Sequence, residues 1–307
     1  MDSKISEKLA DMVVSFYKSD RRWTILKRSA LAFAFIVGIT ITITNFINTY
    51  GRWPVFGDYA AVVNIKGVME DGGNASADNI IPSLKLAFED EHAKAVFLQI
   101  DSPGGSPLEA ERIYSVLDYL KSKHKKPVIA VINNTGASAA YLVAIHADKI
   151  VAGKYSLVGS IGMIISTYNV SGLAERFHVE KYSFTSGPLK SFLDPLTPAT
   201  PAVRKKAQEM VRVGAALFIE EVKLRRAGKL KAGYDFFTGE TWLGSEALRL
   251  GLIDEIGTLE EVARAYNLPA TGVGSGSGLY AKAGISDRLT ATLTEKLAAL
   301  LFLPKIN

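Results

Sequence analysis

Short apolar runs alternating with helical patterns constrain this chain more than any other feature. Residues 59–65, 95–100, 127–132 and 149–152 are stretches of strand length dominated by Val, Ile, Leu, Ala and Phe. Between and after them, residues 77–89, 107–121 and 139–147 carry the pattern of helices. A strand–helix repeat of this kind predicts an α/β domain with a mostly parallel sheet. A longer amphipathic helix follows over 201–226, where Met210, Val211, Leu217, Phe218 and Val222 are interleaved with Arg and Lys.

The N-terminal region reads differently. From Ser29 to Gly51 no residue is charged, and residues 29–50 are long enough to span a bilayer, which takes about 20 residues. A cleaved signal peptide is the rival reading; the long segment before the span and the lack of a small-x-small cleavage site oppose it. Lys18, Arg21, Arg22, Lys27 and Arg28 precede the span and Arg52 follows it. The positive-inside rule then predicts a single-pass protein of the cytoplasmic (inner) membrane, with a cytoplasmic N-terminus and the α/β domain outside. Residues 1–28 form a cytoplasmic amphipathic segment, with Ile5, Leu9, Met12, Val13 and Phe16 at helical spacing. The soluble domain is expected over 55–268. Residues 269–307 add a flexible linker, read from the Gly/Ser run at 272–278, and a helix with Leu289, Leu293, Leu297, Leu300 and Leu301 on one face. That helix docks on a neighbouring protomer or on the membrane.

Ser138 is the first chemical candidate. It sits in the small-residue segment 133–141, between an apolar strand and a predicted helix, where free backbone N–H groups and the helix dipole favour negative charge. Serine beside Gly and Ala is also common at helix caps, so its partners decide. A serine nucleophile needs a base, usually histidine. The chain has four histidines, His92, His124, His146 and His178, and none is flanked like a triad histidine. Lys190 is the alternative base. It lies in a Gly-Pro turn with apolar neighbours, whereas most lysines occupy solvated runs such as 121–126. Free lysine titrates near ~10.4 and accepts a proton at neutral pH only when burial disfavours its charge; a loop lysine that merely snorkels is the bland reading. A third candidate is the Pro103-Gly104-Gly105 turn after the 95–100 strand, because paired glycines can bring bare N–H groups against a bound carbonyl.

Other chemistries are excluded. Cysteine is absent and no His-Glu-x-x-His pattern occurs, so neither a metal nor a cofactor is expected. The net charge of +5 comes from dispersed basic residues or those near the apolar segment, without a basic stripe interleaved with aromatics, so nucleic acid is not an expected partner.

The Asp101-Ser102-Pro103-Gly104-Gly105 turn, the segment Gly136-Ala137-Ser138-Ala139-Ala140-Tyr141, Gly159-Ser160-Ile161-Gly162 and Gly187-Pro188-Leu189-Lys190-Ser191 occur in that order. Together with Thr238-Gly239 and Gly251-Leu252-Ile253-Asp254, they resemble the signal peptide peptidase A family of membrane-bound Ser-Lys peptidases, in its short single-repeat branch. The resemblance covers about 59–266. It implies a ClpP/crotonase-like fold, a serine endopeptidase acting on remnant signal peptides, and a ring-like homo-oligomer such as an octamer. It also implies roles: Ser138 as nucleophile, Lys190 as general base and Ser160 as the hydroxyl orienting the lysine. Gly105 would face the oxyanion, with Gly104 shaping the turn and the Ala139 N–H as a second donor. Family members commonly have two glycines where this chain has Ala139 and Ala140. Related Ser-Lys proteases that cut stomatin-like partners, and a non-catalytic membrane scaffold on the same fold, are the alternative readings.

Overall fold

The computed structural model of the chain describes residues 23–25, 27–43 and 57–274. They fall into two units, one within residues 1–53 and one within 54–307. The first contains helix α1 (Trp23–Ile43), 21 residues with a mean hydropathy of 1.7 and no residue buried. Its length, about 30 Å at 1.5 Å per residue, matches the hydrocarbon thickness of a bilayer. The hydroxyls of Thr40 and Thr42 donate to the carbonyls of Ile36 and Gly38 at 2.8 and 2.9 Å, which satisfies them inside the helix. The helix takes in Lys27 and Arg28, which the sequence reading left outside the span. The predicted helices within 1–22 and 289–301 lie outside the described residues.

The second unit is an α/β domain. Its strands are β1 (Tyr59–Lys66), β2 (Ala93–Ser102), β3 (Val128–Ala137), β4 (Lys149–Ala152), β5 (Leu157–Gly159), β6 (Thr241–Leu243), β7 (Glu255–Ile256) and β8 (Ala270–Gly272). They form one sheet in the order β6-β5-β3-β2-β1-β8, with β4 joining β3 to β7. All pairings are parallel except β5 with β6. The helices are α2 (Ala77–Glu89), α3 (Pro107–His124), α4 (Ala139–Ala144), α5 (Ser171–Arg176), α6 (Pro201–Arg225), α7 (Gly244–Leu250) and α8 (Leu259–Ala265).

The central strands read as continuous apolar runs because both faces of the sheet are covered. Ala61, Val63, Ile65, Val96, Leu98 and Ile100 pack with side chains of α2, α3, α4, α6 and α7 in the larger core. Their neighbours Ala60, Val62, Ala95 and Phe97 face a smaller core that Val262 of α8 helps to close. Two departures from the sequence expectation have the same cause, which is unpaired strand edge. β3 does not stop at residue 132 but continues to Ala137, because its first half pairs β4 and its second half pairs β5 along the same side. Likewise, Gly272–Gly274 is not linker: β8 pairs the free edge of β1, Val273 is buried, and its N–H donates to the Val62 carbonyl at 3.0 Å. In both places flexible-looking small residues are ordered by backbone hydrogen bonds.

Asp254 ties the sheet to α6. Its carboxylate accepts from the Ile150 N–H at 2.8 Å, from Lys229 Nζ at 2.8 Å and from Arg226 Nη1 at 2.9 and 3.0 Å, while Arg226 also donates twice to the Gly251 carbonyl. Arg226 is only 3% exposed, so it needs this anion. Burial alone would raise the Asp254 carboxyl, but the hydrogen bonds from Arg226, Lys229 and the Ile150 N–H outweigh it and hold the group below its ordinary value. A carboxyl depressed in the folded state contributes stability above its unfolded value near ~3.9 and loses it as pH falls through the lower folded value. Asp254→Ala should therefore cost about 3–5 kcal/mol at pH 7 by stranding Arg226. In denaturant titrations the gap between wild type and variant should shrink as the pH falls below about 4; a pH-independent gap would show that the carboxylate charge is not what matters.

Candidate active site

Ser138 occupies the junction between β3 and α4 with φ 53° and ψ −127°. This conformation is costly for any residue with a Cβ, about 1–3 kcal/mol, and persists only where the surroundings impose it. Here they do. The Ser138 N–H donates to the Gly159 carbonyl of β5 at 2.8 Å, and its carbonyl accepts from the Leu142 N–H of α4 at 3.0 Å. All six residues of α4 are buried, so the helix cannot shift to relieve the turn. The hydroxyl makes no capping bond to the helix it precedes, and the residue is partly exposed. An ordinary N-cap serine uses its oxygen on the helix N–H groups; this one keeps it free.

The glycine turn after β2 lies directly against this serine. A Cβ built on Gly104 would stand 2.7 Å from Ser138 Cβ, 2.7 Å from the Ala137 carbonyl oxygen and 2.8 Å from the Ala139 nitrogen. Gly104 has φ 97° and Gly105 φ 146°, and a Cβ on Gly105 would collide with the Met69 carbonyl. The turn is pinned on its outer side by Met69, whose N–H donates to the Gly104 carbonyl at 2.8 Å and whose carbonyl accepts from the Ser106 N–H at 2.7 Å. On its inner side the Gly104 N–H donates to Ser102 Oγ at 3.1 Å. The Gly105 N–H has no acceptor among the described residues, and the Ala139 N–H, in the first turn of α4, has no intrahelical one.

Asp101 holds β2 and β3 in register beside the turn. Its carboxylate accepts from Asn134 Nδ2 at 2.9 Å and from the Thr135 N–H at 3.3 Å, across the point where the β2–β3 register shifts. Sequence reasoning gave Asp101 no role. An acidic side chain near the end of a strand, two residues before a Pro-Gly-Gly turn, is the signal that could have pointed to it.

Ser160 follows the carbonyl that holds Ser138. It too has a positive φ, 53°, and its N–H donates to the Glu240 carbonyl at 2.7 Å. A Cβ on Gly159 would meet the Trp242 ring at 2.6 Å, so the segment at 239–242 is packed closely against this turn. Ser138, Gly104, Gly105, Ala139 and Ser160 are thus brought together by β2, β3 and β5.

Lys190 is not joined to them. It lies in a turn closed by its own N–H on the Gly187 carbonyl at 3.1 Å, and it is exposed, with neither a hydrogen bond nor an ion pair on Nζ among the described residues. The desolvated setting expected for it is not formed among the described residues. The surrounding segment is exposed as well, with Ile164 at 81%, Tyr168 at 86% and Phe184 at 96%. The histidines offer no substitute. The His146 ring is enclosed, with Nδ1 2.9 Å from Asp118 Oδ2 and Nε2 3.4 Å from Glu221 Oε1, and it stacks on Tyr114 at 4.0 Å between centroids. His92 and His178 are exposed.

Comparison with known proteins gives two family matches: residues 121–271 match Peptidase family S49, and residues 63–174 match Clp protease. The α/β sheet observed here is therefore the ClpP-like arrangement expected from the sequence. A Brucella abortus protein named Na(+)/H(+) antiporter NhaA is 33% identical over 269 residues, covering 83% of this chain and 35% of that protein. An Enterococcus faecium protein named for signal peptide peptidase SppA is 31% identical over 207 residues, 65% of this chain and 60% of its own length. Among solved structures, a membrane-bound stomatin-specific protease is 16% identical and covers 71% of this chain and 98% of its own, with a TM-score of 0.46. The chain spans about a third of the length of the Brucella relative.

The strain at Ser138 has a measurable consequence. Glycine adopts this backbone without a Cβ penalty, at an entropic cost of about 0.5–1 kcal/mol. Ser138→Gly should therefore stabilise the folded chain, by about 1 kcal/mol in denaturant unfolding of the detergent-solubilised protein. A loss of stability would show that the serine conformation is relaxed.

Proposed function

We propose, from the match of residues 121–271 to peptidase family S49, that the chain is a membrane-anchored serine endopeptidase whose nucleophile is Ser138 and whose general base is Lys190. The observation that carries the reading is the Ser138 hydroxyl, which has no partner among the described residues and is fixed in a strained turn against Gly104, near the N–H groups of Gly105 and Ala139, which have no acceptor among those residues either. Two N–H groups converging beside a nucleophile can bind the oxyanion that forms when the hydroxyl attacks a peptide carbonyl. In the proposed reaction Lys190 takes the Ser138 proton, passes it to the leaving amine and then activates water to release the acyl group. Ser160 orients the lysine amine, and Gly104 shapes the donor turn.

Lys190 works as a base only when water is excluded from it. The same segment leaves the large apolar side chains of Ile164, Tyr168, Phe177, Tyr182 and Phe184 exposed, which favours a cover over them. We assign that cover to further copies of this chain in a ring-like homo-oligomer. The apolar α1 supports a membrane anchor, and the basic residues before it support a cytoplasmic N-terminus with the peptidase domain on the far side. Remnant signal peptides, released in the membrane, are the substrates that suit an anchored peptidase and the name of the Enterococcus relative. Ion transport is not part of the reading, since only about a third of the antiporter relative aligns with this chain.

The test is hydrolysis of a fluorogenic apolar peptide by the detergent-solubilised protein. Ser138→Ala and Lys190→Ala should each lower kcat/KM by about 10³-fold or more, because members of a dyad act as a unit. Ser160→Ala should lose about 10–100-fold and keep residual activity. Activity should favour neutral to alkaline pH, along a limb that His146→Gln and His178→Gln leave in place. Near-normal turnover in Lys190→Ala, or a limb near ~6.5 that vanishes in a histidine variant, would overturn the assignment of the base.

A further inference from the structure

Ser102 is completely buried at the end of β2, opposite Gly136 of β3, and still carries a hydroxyl. Its oxygen accepts the Gly104 N–H at 3.1 Å, closing a short turn across Pro103. Gly104 is itself buried, and among the described residues its N–H has no other acceptor. We propose that Ser102 is a positioning residue for the oxyanion turn: its hydroxyl fixes the Gly104 peptide so that the next N–H, that of Gly105, is left unpaired beside Ser138. The inference rests on the peptidase reading above and adds to it a residue that never touches the substrate.

Three features of the geometry carry the proposal. The Gly104 carbonyl is held by the Met69 N–H and its N–H by Ser102 Oγ, so both ends of one glycine are fixed from opposite sides. A Cβ on Gly104 would fall within 2.8 Å of Ser138 Cβ and the Ala139 nitrogen, so the turn packs against the nucleophile and a rotation of this peptide would move the two relative to each other. The Gly104 N–H is buried, so losing its acceptor would leave an unsatisfied donor, and the turn would rotate to pair it elsewhere. Side-chain oxygens of serine closing a turn two residues on are a known local device.

The experiment compares Ser102→Ala and Ser102→Thr in the full-length, detergent-solubilised chain, with Ser138→Ala as the inactive reference. Ser102→Ala should lower kcat by about 10–100-fold with little change in KM. Affinity for a peptide aldehyde, which forms a tetrahedral adduct with the nucleophile, should fall by a similar factor. Binding of an uncleaved peptide, measured in the Ser138→Ala background, should be unchanged. Amide hydrogen exchange at Gly104 should speed up in Ser102→Ala, and Ser102→Thr, which keeps the oxygen, should restore both kcat and protection. Unchanged kcat and aldehyde affinity in Ser102→Ala overturns the proposal. Equal losses of aldehyde and uncleaved-peptide binding, or equal losses in the Ala and Thr variants, overturn it too by showing general distortion. A wild-type chain that neither cleaves peptide nor takes the aldehyde fails at the peptidase reading itself, which Ser138→Ala then separates from background hydrolysis.

Discussion

The backbone of Ser138 is caught between two demands that cannot both be met in a relaxed conformation. β3 must keep pairing with β5 as far as Ala137, and α4, wholly buried, must begin at Ala139. One residue is left to reverse the chain, and its N–H and carbonyl are both committed, to Gly159 and Leu142. The positive φ follows from these bonds, and with it the outward, uncapped hydroxyl. The neighbouring features follow in turn: Gly104 has no side chain because the serine Cβ occupies the space, and Gly159 has none because Trp242 lies beneath it. The site is thus a product of sheet register rather than of any one strong interaction.

Much of this was legible in the chain before folding was considered. The strands at 59–65, 95–100, 127–132 and 149–152 are mostly apolar, and all but Pro127 of their residues lie within β1 to β4. The glycines at 104 and 105 announce a turn with unusual φ angles, and both have them. What could not be read was pairing at a distance. Residues 133–137 and 272–274 look like connectors, because Asn, Thr and Gly carry no apolar pattern; they are strand or strand extension because β5 and β1 offered free edges. The sequence reading gave Arg226 and Asp254 no structural role, yet they form a largely buried pair because the chain brings α6 back onto the sheet. Periodicity records how a segment is buried, and these residues are placed by hydrogen bonds and charge instead.

Lys190 marks the limit in the other direction. Apolar neighbours in sequence suggested a desolvated amine, but neighbours in sequence do not by themselves make a cavity. The segment that carries Lys190 leaves its large side chains in solvent, while the core around Ser138 is closed by α4 and the sheet. The nucleophile half of the proposed site is therefore complete in one copy of the chain, and the base half depends on what covers this surface. That division also explains why His146, although close in sequence to Ser138, is no rival: it is enclosed by Asp118, Glu221 and Tyr114, a packing role between α3 and α6.

The central claim is that Ser138 is the reactive hydroxyl. Labelling the full-length, detergent-solubilised protein with a fluorophosphonate and mapping the adduct by peptide mass spectrometry tests it most directly. The account predicts a single major adduct on the tryptic peptide containing Ser138, absent when the protein is first denatured. An active protein whose adduct maps to another serine, or that reacts equally well unfolded, would contradict it.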